Sequence, residues 1–180
     1  MTDYPLKHWM SWEGGVDLLG ATAVGLLMPN AIIHVARVVH TPRGSCPAGM
    51  VFWQPDPAAA PALFGFIATD PAIGAYFGPT LFAGTPFEKA PVLTAKISIT
   101  IGADAGSARI EVAGHLIETA LGGLAPQVLV DRAPGGMAPF RTQGVERQAG
   151  SATLRIDGRD IALASTAGSL VSPTGIYGRE

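Results

Sequence analysis

Leu93-Thr94-Ala95-Lys96-Ile97-Ser98-Ile99-Thr100-Ile101 alternates apolar and polar side chains without a break. A period of two is that of a β-strand with one face buried and one wet, because successive side chains leave a strand on opposite sides. Gly102 to Gly106 supplies a turn, and Ser107 to Ala120 returns as the partner strand. Pairing Ile101 with Ala108 aligns Ile99 with Ile110, Ile97 with Val112 and Leu93 with Leu116, so the whole apolar set lands on one face.

A second hairpin is written at Ala152 to Leu163. Asp157-Gly158 suits the two positive-φ positions of a type I′ turn. Counting outward pairs Ile156 with Arg159, Arg155 with Asp160 and Leu154 with Ile161, which puts an ion pair on one face. Shorter strands are expected at Ala31 to Thr41, Gly49 to Gln54, Ala62 to Ala68 and Gln127 to Asp131, each bounded by turn residues. Gly15 to Met28 fits a helical stripe or a glycine-kinked strand equally well.

Two short helices are signalled. Asp70-Pro71 offers a cap and a first helical residue, with Gly78-Pro79 as the stop. Thr85 and Glu88 have the spacing of a capping box. Segments 41–49, 54–61, 121–126 and 132–150 are expected as loops. Many short strands and few helices predict a mainly β chain, one domain over residues 1–180. The expected architecture is an antiparallel β-barrel, lipocalin-like or a similar closed barrel, with one or two short helices.

Composition narrows the function classes. The chain has 180 residues, enough for one hydrophobic core. Charged residues make up 14%, against ~25% in an average globular chain. So little charge predicts that part of the surface is covered by another copy, a homo-oligomer. A net charge of -2 with scattered Lys and Arg gives nucleic acid no basic patch to bind. Met1 to Trp12 lacks the charged-then-apolar order of a signal peptide, and Leu18 to Met28 is too short to span a bilayer, so no membrane partner and a cytoplasmic location are expected.

No metal-binding spacing and no phosphate-binding glycine run is present, so neither a metal nor a cofactor is implied. His34 and His40 are six positions apart on one strand, about 20 Å at ~3.3 Å per residue, too far to share one ion. Cys46 sits in an expected loop beside Arg43, with no base supplied by a local motif.

Extending the 107–120 strand puts Glu118 on the core face. Two readings are open: a pocket acid or base, or a strand that ends or bulges near Ile117 and leaves Glu118 in water. Arg37 likewise shares a face with Ile33, Val35 and Val39, as a buried partner or as an edge arginine whose head reaches solvent. Trp53, Phe64, Phe66, Tyr76 and Phe77 belong to an aromatic cluster that lines an apolar cavity or is plain core; the 70–77 helix could roof a barrel mouth there.

These residues favour a barrel that binds a small, largely apolar molecule in its interior. A cofactor-free isomerase, cyclase or lyase in the same cavity is the alternative, with Glu118, Arg37 and His34 as its candidate polar residues. An assembly protein, its low charge spent on interfaces, is the third.

Overall fold

The computed structural model describes residues 7–180. Residues 1–6, half of the segment assessed above for a signal peptide, lie outside the described residues. The elements run β1 (His8–Gly20), β2 (Ala31–Thr41), β3 (Gly44–Trp53), β4 (Leu63–Ala68), α1 (Pro71–Phe77), β5 (Val92–Ile101), β6 (Ala105–Val112), β7 (His115–Leu124), β8 (Val128–Arg132), β9 (Arg141–Ile156), β10 (Arg159–Ile161) and β11 (Leu170–Arg179). No helix among the described residues is long and apolar enough to cross a membrane.

Nine strands close into a ring in the order β1-β2-β3-β4-β5-β6-β7-β9-β11, with β11 returning to β1. The barrel is antiparallel at every seam but one. β4 and β5 run parallel, because the segment carrying α1 crosses between them. β9 closes the ring by changing partners along its length: residues 141–148 pair with β11 and residues 149–156 with β7. β8 and β10 add to it outside the ring.

The Asp157-Gly158 hairpin forms in the expected register, with Ile156 opposite Arg159, and Arg155 Nε lies 2.8 Å from Asp160. Both turn residues have positive φ, 51° and 77°. The hairpin at 93–120 differs in two ways. Ile101 pairs with Gly106 and Ile97 with Ile110, two positions from the expected register, which preserves the apolar face. The return strand also stops at Val112, where Ala113 and Gly114 (φ 50° and 79°) make a second two-residue turn into β7. That reversal turns Ile117, Thr119 and Leu121 inward.

Other expectations are corrected. Segment 15–28 is strand only as far as Gly20, and Asn30 then ties its loop through Thr22 and the Gln54 carbonyl. Cys46 lies buried in β3, and the expected loop 132–150 holds the first half of β9. α1 forms as read, its Asp70 cap accepting from the Ala72 amide at 2.9 Å. No helix forms at Thr85, since Glu88 accepts from the Gly84 amide instead of reaching Thr85.

Alternation inside the ring builds a solid core. Val16, Leu18, Ile33, Val51, Ile67, Ile110, Ile117, Leu121 and Val171 meet there from strands all around the barrel. A second apolar cluster lies on the outer face of β3 and β4, where α1 and the following turn bring Ile73, Tyr76, Phe77 and Leu81 down onto Ala48, Phe66 and Ala68.

Three adjacent strands feed both clusters. Between Ala36 and Val39, β2 advances three residues while β3 advances two, from Ala48 to Cys46. Between Val171 and Thr174, β11 does the same against β9. β1 stays in step with both, Gly15 opposite Ala36 and Ser172, Glu13 opposite Val38 and Thr174. One extra residue in each strand (Arg37, Gly14 and Pro173) therefore lies on a single line across the sheet. Each such bulge exchanges the two faces of its strand. Above the line Val16, Ile33 and Val35 face the barrel interior; below it Trp12, Val39 and Tyr177 face the outer cluster.

Candidate functional site

The outer cluster does not close completely. Between the outer face of β1–β4 and the turn after α1 lies a cavity offering about 100 Å³ to the centre of a water molecule. Met10, Trp12, Val39, Met50, Phe66, Phe77 and Phe82 make its walls apolar. Its polar side chains are Asp17, His34 and Tyr177.

Strand alternation places that polar end. Asp17 sits between Val16 and Leu18, and His34 between Ile33 and Val35, so both point away from the filled interior. Asp17 is the register partner of His34 across β1 and β2. His34 Nδ1 lies 3.1 Å from Asp17 Oδ1. This contact orients the ring and leaves Nε2 with no hydrogen-bond partner among the described residues. Gly49, facing Val35 on β3, lets the β3 backbone approach that of β2 at His34 and Val35.

Tyr177 reaches the cavity from β11. Its ring stacks on Phe140 at 4.1 Å between centroids and tilts against Trp12 at 4.7 Å. No hydrogen bond within the described residues engages its hydroxyl. Burial above all, then the negative charges of Asp17 and Glu146, pushes the phenol up, so it stays a protonated donor at any physiological pH. The roof is anchored separately. Arg179 Nη1 donates to the carbonyls of Thr80, Leu81 and Ala83 at 3.3, 3.1 and 2.7 Å, and the Tyr76 hydroxyl accepts from the Trp9 amide at 3.0 Å.

Burial lowers the proton affinity of His34, but the charge and hydrogen bond of Asp17 raise it, and the net shift is upward. A histidine raised above its unfolded value adds stability below that value, about 6.5, and loses it as pH rises through the folded value. With 40% of the imidazole side chain open to solvent, screening keeps the contribution small. Asp17→Asn is expected to move the His34 NMR titration to lower pH and to flatten the decline of Tm above neutrality. An unchanged titration would remove Asp17 as the cause.

Of the residues singled out from sequence, His34, Phe66 and Phe77 meet at this cavity. The others do not. Glu118 faces outward because of the turn at 113–114, and it pairs with Arg109 at 3.1 Å. Arg37 is exposed on the line of bulges, its guanidinium over Gly14, so it and Glu118 form no pair. Trp53 packs on the inner cluster, and Phe64 lies between Phe52 and Phe87 on the outer face. Tyr76 is buried behind the roof. α1 covers the barrel wall rather than its mouth.

His34 and His40 fall on opposite faces, separated by the bulge at Arg37. His40 lies between Ser45 (2.7 Å) and Glu13 (3.3 Å), where Glu13 and Ser45 are exposed and away from the cavity. His115 shares the face of Val112 at the barrel rim and meets Asp157 at 2.8 Å. No group of three or more His, Cys, Asp or Glu among the described residues is placed to hold a metal ion.

Asp17 and Tyr177 were not singled out from sequence. The available signal was a carboxylate between two core aliphatics in Val16-Asp17-Leu18, once that segment is known to be strand.

No family model matches the chain, and no curated protein matches it. Among solved structures it is similar to an acetoacetate decarboxylase from Legionella pneumophila subsp. pneumophila strain Philadelphia 1. The identity is 10%, over 99% of this chain and 89% of that one, with a TM-score of 0.38. A likeness at that level bears neither on the cavity nor on its chemistry.

Proposed function

We propose that this protein binds a small molecule with a mainly apolar body and one hydrogen-bonding group, in the cavity on the outer face of β1–β4. The observation that carries the reading is the polar end of an otherwise apolar cavity: His34 held by Asp17, with the Tyr177 phenol near that carboxylate. An apolar wall supplies affinity, and a few placed polar groups supply orientation. The barrel interior, the site expected from sequence, is filled by its own side chains.

Ligand-observed NMR with cyclohexanone and with methylcyclohexane tests this. Saturable binding is expected for the ketone, with the hydrocarbon weaker because it leaves the polar end unpaired. Ala48→Leu fills the cavity from β3 and should weaken ketone binding at least tenfold; Val39→Leu does so from β2 should the first variant misfold. Ketone binding that neither substitution alters in a folded protein would sink the proposal.

A further inference from the structure

We infer that the cavity catalyses proton transfer at the carbon next to a carbonyl group, with His34 as base and Tyr177 as hydrogen-bond donor to the carbonyl oxygen. The inference rests on the binding reading above and names its substrate class: small apolar ketones or aldehydes that can enolise.

The geometry assigns the roles. Asp17 occupies His34 Nδ1, so the neutral ring carries its proton there and presents Nε2 as the lone-pair nitrogen. Tyr177 has a hydroxyl that no described residue engages and that stays protonated, which suits a donor to an oxygen gaining negative charge. In the forward step Nε2 takes a hydrogen from the carbon beside the carbonyl. The C–H bond breaks, an N–H bond forms, the electron pair becomes a C=C bond, and the carbonyl π pair moves onto oxygen beside the phenol. Return of the proton from Nε2, to the same carbon or to one conjugated with it, restores the ring and releases the starting ketone or its isomer. No oxidant, reductant or second substrate enters the balance.

The half-exposed imidazole can trade its proton with solvent, while the rest of the lining is apolar. Asp17 on β1 and Tyr177 on β11 are the titratable side chains lining the cavity with His34, while β3, β4 and the roof contribute Met50, Phe66, Phe77 and Phe82. Burial of the Tyr177 phenol strengthens its hydrogen bond to a developing oxyanion. Asp17 acts through His34 and is a positioning residue.

The test is loss of the ring protons next to the carbonyl of cyclohexanone in D2O, followed by NMR alongside its binding. The intact protein should accelerate exchange over buffer. His34→Gln should remove about 100-fold of that acceleration, the lower end of the ~10²–10⁴ that a positioned acid or base supplies. Tyr177→Phe, which keeps the ring stack, should remove about tenfold; both rates are compared at ketone saturation, because loss of a polar partner also weakens binding toward that of the hydrocarbon. Asp17→Asn should shift the pH midpoint of exchange downward together with the His34 titration. Binding without accelerated exchange overturns the inference and leaves the binding reading standing. Absence of binding overturns both. Exchange that survives His34→Gln overturns the role of His34, and exchange unaffected by Tyr177→Phe overturns that of Tyr177.

Discussion

Gly49→Ala is expected to cost the protein about 3 kcal/mol, at the top of the ~1–3 kcal/mol range for overpacking, and to abolish binding at the cavity. A Cβ at Gly49 would overlap the His34 carbonyl oxygen and come within 2.7 Å of the Val35 Cα. Those are backbone atoms of the neighbouring strand, so no side-chain rotation relieves the clash. β2 must move away from β3 just above the bulge at Arg37, and His34 moves with it. A lower denaturant midpoint at unchanged slope would record the loss of stability. A displaced His34 resonance would record the movement. Alanine tolerated at full stability, with His34 unmoved, would show that β2 and β3 leave room for a methyl group at this position.

Ile110→Ala is expected to lose about 3 kcal/mol for a different reason. Ile110 is fully buried between Ile97 on β5 and Ile117 on β7, in the filled interior of the barrel. Truncating a buried isoleucine removes its transfer energy and leaves a void, together ~2–5 kcal/mol. For a chain of this size that lowers Tm by roughly 10 °C, taking ~2–4 °C per kcal/mol. Cyclohexanone binding measured well below the transition should be unchanged, because the barrel wall separates Ile110 from the cavity. Binding lost in a folded Ile110→Ala protein would return the ligand to the interior and sink the outer-face site.

The contrast between these positions shows what was legible in the sequence. Ile110 belongs to an uninterrupted alternation, and its inward face follows from a period of two whatever the register. Asp157-Gly158 was equally readable, because an aspartate-glycine pair has the positive-φ preference that its turn needs. Ala113-Gly114 makes a similar turn with an alanine in the first position, a residue that announces no turn. Missing it joined β6 to β7 and turned Glu118 inward. The cavity was harder still. His34, Phe66 and Phe77 could be picked out one by one, but their meeting depends on three bulges, and an extra residue in a strand leaves no mark in its composition. Arg37 shows this directly: simple alternation puts it in the core, and the bulge carries it into solvent.

The line through Arg37, Gly14 and Pro173 also constrains how this chain can change by descent. Deleting any one of those residues would restore alternation in its own strand while throwing that strand out of step with its neighbours on the line. Only the loss of all three together returns a matched sheet, and that version would turn Trp12 and Tyr177 from the cavity wall toward the barrel axis. Single deletions here are therefore each worse than either end state. A lineage that has acquired the three extra residues is held to them.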